Sequence, residues 1–337
     1  MFGVKLYHRL GFTPLVEEAE GRVYQSGLLI AEKCFFLSKE SLKKMKGGVF
    51  ALGNFDGVHR GHRAIIDAAV EKARGMRIPA RVLTFEPHPR AFFQPHSPPF
   101  RLTPLAVKES LLKAYGIDDV VVLPFTAEVA HLSAEDFIEQ VLLKRFGAEH
   151  LVAGHDFIFG YKRGGDMKKL AAWLAPHQIG VTEIEAMGDE GEVFSSTRIR
   201  EMLLEGEVEA ATEILGHEWS ISGEVMRGAG RGRKIGIPTA NILLGAYLRP
   251  KFGVYAVRAG RVGGALTYHG VANIGLRPTV DGENENLEAH LFDFNQDIYG
   301  QEWQFALTHF IRPEKKFENL EALKAQIMKD IEAAKKD

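Results

Sequence analysis

The sequence predicts two folds in series, an α/β doubly wound domain followed by a small antiparallel β-barrel with a C-terminal helix. Three observations predict this. Short apolar runs alternate with helical periods over the first two thirds of the chain. After "LGHEW", near residue 217, the texture changes to short strands bounded by Gly, Pro and Asn, and the closing "NLEALKAQIMKDIEAAKK" has amphipathic helical spacing.

In chain order, "GGVFAL" reads as a strand that feeds a helix from about Gly61 to Arg74. "ARVLTF" follows, then the helical "LAVKESLLKAYG", the strand "DDVVVLPF", the helical "SAEDFIEQVLLKRF" and the strand "HLVAG". Ser133 is the expected N-cap of the last helix, with Glu135 and Asp136 in its first turn, where negative charge suits the helix dipole. A βαβα rhythm implies a parallel sheet with ligands at the carboxyl ends of its strands. Beyond residue 217, "SISGEVM", "GVYAVRAG", "ALTYHGVANIG", "NLEAHLFDF" and "EWQFALTHFI" are the expected barrel strands. The division is therefore expected at 1–46, an N-terminal extension without assigned function, 47–216 and 217–337.

Composition narrows the class. The chain has 337 residues, enough for two cored domains, and a net charge of -2, which gives no global attraction to nucleic acid or to an anionic membrane. Its one cysteine, Cys34, forms no intrachain disulfide, and no run approaches the roughly 18 apolar residues of a membrane span. The opening "MFGVKLYHRLGF" is too short and too mixed for a secretory core, and Glu17, Glu18 and Glu20 argue against a transit peptide. The expectation is a cytoplasmic protein with small-molecule partners.

"ALGNFDGVHRGHRAI", residues 51–65, places His59 and His62 at the mouth of a helix, among Gly53, Gly57 and Gly61. No nearby Cys and no HExxH spacing complete a zinc site. Glycines that allow close backbone approach, free helix N–H groups and two imidazole donors suit a polyphosphate. An ordinary helix cap beside a surface histidine is the other reading of these residues taken alone. "FSSTRIREMLLEGEVEAATEILG", residues 194–216, adds a second anion-binding helix start with Ser195, Ser196, Thr197, Arg198 and Arg200. Taken alone it reads rather as N-capping with solvated arginines.

Together, GxFDGxHxGH and the later SSTxxR resemble the nucleotidyltransferase superfamily, whose domain is Rossmann-like, and specifically the adenylyltransferase module of bacterial FAD synthetases. The matching residues are Gly53, Phe55, Asp56, Gly57, His59, Gly61 and His62, then Ser195, Ser196, Thr197 and Arg200. "FEPHPR", "RLTPLAVKESLLKAYGIDDVVVLPF" and "VAGHDFIFGYKRGGD" are similar to the family's segments in order and spacing. Phe194 stands where the superfamily often has Ile, and His155 fills a variable slot. The resemblance implies that His59 and His62 hold the ATP phosphates and that Ser195, Thr197 and Arg200 complete the grip. It places Asp156, Phe157 and Arg163 in the flavin and nucleotide cleft.

The second half carries its own phosphate motif, "GAGRGRKIGIPTANI" (228–242), where Gly228, Gly230, Gly232 and Arg233 suggest a backbone wrapped round phosphates. Alone, this loop reads rather as a flexible surface hairpin. Thr239 and Asn241, two apart, share a face if the segment is extended, and their hard oxygens suit Mg2+. "GRGRKIGIPTAN", "FGVYAV", "GVANIGLRPT", "LEAHLFDFNQDIYGQEW" and "RPEKKFENLEALKAQI" resemble the riboflavin kinase family from about Gly216 onward. In "NLEAHLFDF" the alternation sets Glu288, His290 and Phe292 on one face and Leu287, Ala289 and Leu291 on the other. The resemblance implies that Glu288 is the general base and that Asn273 and Arg312 line the flavin and nucleotide pockets. The combined resemblance is to the bifunctional riboflavin kinase/FAD synthetases. It implies MgATP-dependent conversion of riboflavin to FMN and of FMN to FAD, with ADP and pyrophosphate as by-products. The serine-hydrolase alternative at Ser195 lacks a G-x-S-x-G elbow.

Overall fold

The computed structural model describes residues 45–336 apart from 190, 229–231, 233–235 and 280–281. Strands β1 (Val49–Leu52), β2 (Ala80–Glu86), β3 (Asp119–Pro124), β4 (His150–Gly154) and β5 (Gly180–Ile184) form a parallel sheet in the order β3-β2-β1-β4-β5. Central β1 and β4 are buried at every position, as a strand covered on both faces requires. The strand order reverses between β1 and β4, so the residues after Leu52 and after Gly154 flank the topological switch point. β5 has no counterpart among the expected strands. Its edge position leaves all five residues half-buried or exposed, and its hydrophobic signal is correspondingly weak.

Helix α1 (Arg60–Met76) lies on this sheet through Ile66, Ala69 and Ala73, and starts one residue before the expected Gly61. Its N-cap is His59, and it stops at Arg77, whose left-handed φ of 58° closes the last turn. Helix α2 (Leu105–Ala114) buries Lys108 and Leu112. Ser133 caps as expected, its Oγ accepting from the Asp136 N–H at 2.9 Å. The following helix departs from expectation: one α turn, Ala134–Asp136, leads into nine residues of π-helix, Phe137–Arg145. The wider winding turns Phe137, Ile138, Val141 and Leu142 inward together.

After helix α3 (Met167–Leu174) and the two-stranded ribbon β6 (Gly188–Asp189) and β7 (Glu192–Val193) come α4 (Ser196–Glu205) and α5 (Val208–Leu215). The remaining strands are β8 (Ser220–Glu224), β9 (Ala240–Leu243), β10 (Gly253–Arg261), β11 (Tyr268–Thr279), β12 (Gly282–Leu291) and β13 (Glu302–Pro313). They form an antiparallel sheet in the order β8-β13-β10-β11-β12-β9. Met226 donates from its N–H to the Asn241 carbonyl at 2.8 Å, joining the segment after β8 to β9 and nearly closing the barrel. Trp219, Tyr255, Ile274, Leu287, Ala289, Trp303 and Phe305 fill the interior.

That interior is continuous with Leu102, Ile199, Leu203, Val208, Ala211 and Leu215, so α4 and α5 pack against the barrel. On the outer face, Val254, Ala256 and Val271 seat Ile331 and Ala334 of helix α6 (Leu320–Ala334). Arg312 on β13 fastens the same helix, its Nε and Nη2 donating to the Asp330 carboxylate at 2.9 and 2.7 Å. Asp330 is almost fully buried, with its side chain 4% exposed. Removing it leaves a half-buried guanidinium without its bidentate acceptor. Asp330→Ala is therefore expected to lower the unfolding free energy by about 2 kcal/mol, between the values for exposed and buried pairs. Urea unfolding of the two proteins measures it, and a change below about 0.5 kcal/mol would assign the pair the weight of a surface contact.

Candidate active sites

The first site lies where β1 ends. Phe55 and Val58 adopt positive φ of 49° and 44° with buried side chains, so the loop is wedged into the core by its apolar residues. Asp56, 1% exposed, accepts at Oδ1 from the N–H groups of Leu102 and Thr103, both at 3.0 Å, and at Oδ2 from Arg200 Nη2 at 2.6 Å. Burial pushes its carboxyl upward, but the Arg200 and Lys108 charges and the Thr103 N–H outweigh that and hold it below the usual range. Gly57 has φ of 89° and donates to Thr103 Oγ1 at 2.9 Å. A Cβ there would stand 2.8 Å from Leu102 Cδ1, so close approach as well as conformation requires glycine.

This frame holds the histidines. His59 Nδ1 accepts from the His62 N–H at 3.3 Å, which leaves the ring proton on Nε2. The two rings stack 3.7 Å apart. Burial, and for His62 also the neighbouring His59, pushes both below the ordinary imidazole value, His59 to about 4 and His62 well down. Two stacked cations would repel, so both are neutral donor-acceptor rings at neutral pH. The buried His62 Nδ1 makes no hydrogen bond. His59 is thus both the cap of α1 and the bearer of a free Nε2–H, so the cap reading and the ligand reading describe one residue.

The SSTxxR helix docks beside this loop. Ser195 caps α4 by accepting from Arg198 N–H at 3.2 Å, and Ser196 Oγ donates to the Asp56 carbonyl at 2.7 Å. Thr197 is exposed at the helix start. Arg200 is committed to Asp56 and, through Nε, to the Phe100 carbonyl at 2.9 Å. Arg200, Asp56 and Phe55 therefore shape the loop from beneath. Beyond β4, a Cβ on Gly154 would meet Asp156 Oδ1 at 2.9 Å and α1's Ile65 at 3.5 Å, so Asp156 borders the same mouth. Phe157 stacks on Phe159 at 5.5 Å. Arg163 is exposed, with φ of 59°, and no described hydrogen bond ties it to the histidine loop.

Sequence reasoning passed over two groups here. His88, in the quoted "FEPHPR", is buried against Phe100, and burial pushes it down to about 3. Lys108 is fully buried with an unpartnered Nζ, and burial pushes it down to about 8. A lysine in an otherwise amphipathic helix reads as surface, and only the tertiary structure encloses it.

The second site is a row across three barrel strands. Asn273 on β11 is in register with Glu288 on β12, and Glu288 with Asn241 on β9. The residues between them point inward: Ala272, Ile274, Leu287, Ala289, Ala240 and Ile242 are core. The polar row therefore stands on the outer face, as the alternation in "NLEAHLFDF" requires. Asn286, two residues before Glu288 and on its face, donates to Asn241 Oδ1 and to Glu288 Oε1, both at 3.4 Å. The alternation that singled out Glu288 also contained Asn286. His290 is 2.8 Å from the Pro238 carbonyl, and Asn273 donates to Glu314 at 3.2 Å.

Of the glycine motif, the described Gly228 approaches this row. A Cβ on Gly228 would stand 2.7 Å from the Asn241 amide, and one on Gly232 would meet the Ile237 carbonyl at 2.2 Å. Gly230 and Arg233 lie outside the described residues. Thr239 and Asn241 share the outer face and offer oxygen donors, with a carboxylate in the adjacent register position. Among the described residues no cluster of three acidic, His or Cys groups forms a cage. Such a sparse oxygen set fits Mg2+, which keeps waters and is completed by substrate phosphates. Arg312, expected at the flavin pocket, is bound to Asp330 and the Pro313 carbonyl.

Comparison with known proteins divides the chain in the same order. The FAD synthetase family matches residues 41–198, and the riboflavin kinase family matches 215–337. The bifunctional riboflavin kinase/FMN adenylyltransferase of Escherichia coli K12 is 40% identical over 85% of this chain and 91% of its own length. Its namesakes in Haemophilus influenzae (40% over 86% and 94%) and Bacillus subtilis (38% over 85% and 91%) are similar. A solved structure from Streptococcus pneumoniae, named a macrolide-efflux protein, has a TM-score of 0.77 at 33% identity, covering 87% of this chain and 96% of its own. Among the described residues no helix is long and apolar enough to cross a membrane. With both family matches falling on the two folds just described and these relatives aligned over most of its length, the chain belongs to the bifunctional riboflavin kinase/FMN adenylyltransferase family.

Proposed function

We propose that the two sites divide the two reactions of flavin cofactor synthesis between them, residues 47–216 adenylylating FMN and residues 217–337 phosphorylating riboflavin. The observation that supports this reading is the presence of two separate polar constellations in one chain, the histidine loop beside the α4 N-terminus and the Asn241–Glu288–Asn273 row approached by Gly228. The family's activities are the ATP-dependent conversion of riboflavin to FMN and of FMN to FAD. Incubating the pure protein with riboflavin and MgATP and separating the flavins should yield FAD. Product stopping at FMN, or unchanged riboflavin, would contradict the division.

In the first site an FMN phosphate oxygen attacks the α-phosphorus of ATP and the bond to pyrophosphate breaks. The protein supplies alignment and charge stabilisation rather than a nucleophile. The Nε2–H of His59, the His62 ring, the Ser195 and Thr197 start of α4 and the loop glycines Gly53, Gly57 and Gly61 grip the phosphates. Asp56, Phe55, Ser196 and Arg200 hold that grip in place. Asp156, Phe157 and Arg163 border the flavin side.

In the barrel the ribityl 5′-hydroxyl attacks the γ-phosphorus of ATP, its proton passes to Glu288, and ADP leaves. Asn241 and Thr239 would hold Mg2+, whose charge neutralises the phosphates when it is bound. Asn286, donating to both Asn241 and Glu288, keeps the base and the metal-side amide in fixed relation. Asn273 extends the row toward Glu314. Arg312 works from behind by seating α6.

Three outcomes test these roles. His62→Ala should lower FAD formation from FMN by at least about tenfold, roughly 1.4 kcal/mol, with riboflavin phosphorylation unchanged. Equal loss of both activities would make His62 a folding residue. Glu288→Gln keeps shape and removes basicity, so phosphorylation should fall at least about a hundredfold while FMN supplied directly still becomes FAD. A near wild-type kinase rate would move the role to His290 or Asp293. Finally, the unfolded imidazoles protonate near the ordinary 6.5, whereas folded His59 and His88 protonate near 4 and 3 and His62 also well below 6.5. As pH falls through 6.5 toward about 4, the unfolded chain takes up protons that the folded one refuses, so stability drops. The thermal midpoint should fall over that window and fall less in His59→Asn, which keeps a capping acceptor. An equal fall in both proteins would show that His59 does not contribute.

A further inference from the structure

The segment joining the two domains does more than connect them. His217 Nε2 lies 3.0 Å from the Gly57 carbonyl, an atom that only accepts, so with its proton on Nε2 the ring donates to the histidine loop two residues before His59. The other ring nitrogen lies 3.1 Å from the Glu218 carbonyl, a second atom that only accepts, so a neutral ring with one N–H serves one of the two carbonyls at a time, and the Nε2–H tautomer is the one that holds the loop. Trp219 Nε1 donates at 2.8 Å to the carbonyl of Leu102, the residue whose N–H binds Asp56. The segment is equally tied to the barrel. Arg258 on β10 pairs with Glu218 at 3.2 Å, and the Leu307 N–H on β13 donates to the Trp219 carbonyl at 3.0 Å. Gly216, with φ of 75°, ends α5 against α1, where a Cβ would meet Arg60 Cγ at 3.0 Å.

We propose that His217 and Trp219 are positioning residues for adenylyl transfer, through which the kinase barrel holds the nucleotide loop of the other domain in register. The proposal rests on the reading of that loop as the ATP grip. Gly57 is held on both sides, its N–H by Thr103 Oγ1 and its carbonyl by His217. With the carbonyl released, the peptide between Gly57 and Val58 can turn, and His59 follows. Trp219 acts one layer below by fixing the Leu102 peptide against which Asp56 is seated. Both residues act through the loop, and neither is required to touch substrate.

The test uses the full-length chain, with riboflavin phosphorylation in the same preparations as the control for barrel integrity. His217→Ala should lower kcat/KM for FAD formation from FMN by about tenfold, the scale of one lost hydrogen bond at an aligned site, mainly through a higher KM for ATP. His217→Gln, whose amide N–H can reach the same carbonyl, should stay within about threefold of wild type. Trp219→Phe, which keeps an aromatic ring but lacks the donor, should fall in the same direction, and phosphorylation by the two His217 variants should remain within about twofold. FAD formation by His217→Ala within about twofold of wild type overturns the proposal. So does a loss that Gln does not rescue, or one matched by an equal loss of phosphorylation. If His62→Ala is also silent, the loop is not the ATP grip. If only His217→Ala is silent, the loop stands and the joining segment has no part in it.

Discussion

The adenylyltransferase half of the molecule depends on one buried carboxylate. Asp56 stands where three stretches far apart in the chain converge: its own loop, the Leu102–Thr103 peptides and Arg200 of α4. A carboxylate out of water is costly, and here two peptide N–H groups and a guanidinium satisfy it so fully that it stays ionised. The consequence is geometric. With Ser196 also bonded to the Asp56 carbonyl, the histidine loop and the α4 N-terminus cannot separate without exposing an unpaired charge to an apolar interior. The placement of the neutral imidazoles beside the α4 start follows from that attachment.

The barrel reaches the same end by different means. Its polar row is ordered along the sheet. Glu288 is placed by β-sheet register, with Asn241 and Asn273 opposite it on the neighbouring strands and the core residues alternating behind. One domain stores its precision in a buried electrostatic knot and the other in a hydrogen-bonded ladder. The two are joined where α4, α5 and Trp219 share a single apolar core.

Much of this was legible in the sequence because local patterns carried it. The βαβα rhythm, the Ser133 cap and the alternation around Glu288 each depend on neighbours within a few residues, and each matches the structure. The histidine loop was legible as a strand-to-helix turn with His59 at the mouth of the helix, but its scaffolding was not. That Asp56 and Arg200 bind each other across 144 residues is set by tertiary packing alone. The same holds for Arg312, whose partner lies on another element, and for buried Lys108. The edge strand β5 escaped because partial exposure erases the apolar run, and the π-wound Phe137–Arg145 escaped because its composition is that of an ordinary helix.

The register of β12 has a consequence for how this barrel tolerates change in chain length. Leu287, Ala289 and Leu291 pack the interior while Asn286, Glu288 and His290 face outward, so core and polar row are interleaved one residue apart. Inserting or deleting one residue between Asn286 and His290 would turn the carboxylate into the apolar interior and the leucines out to the cleft, losing stability and activity in one step. Lengthening beyond Leu291 lies outside the paired row and leaves this alternation intact. Within Asn286–Leu291, substitution at one position can alter one face at a time, whereas a change in length alters both.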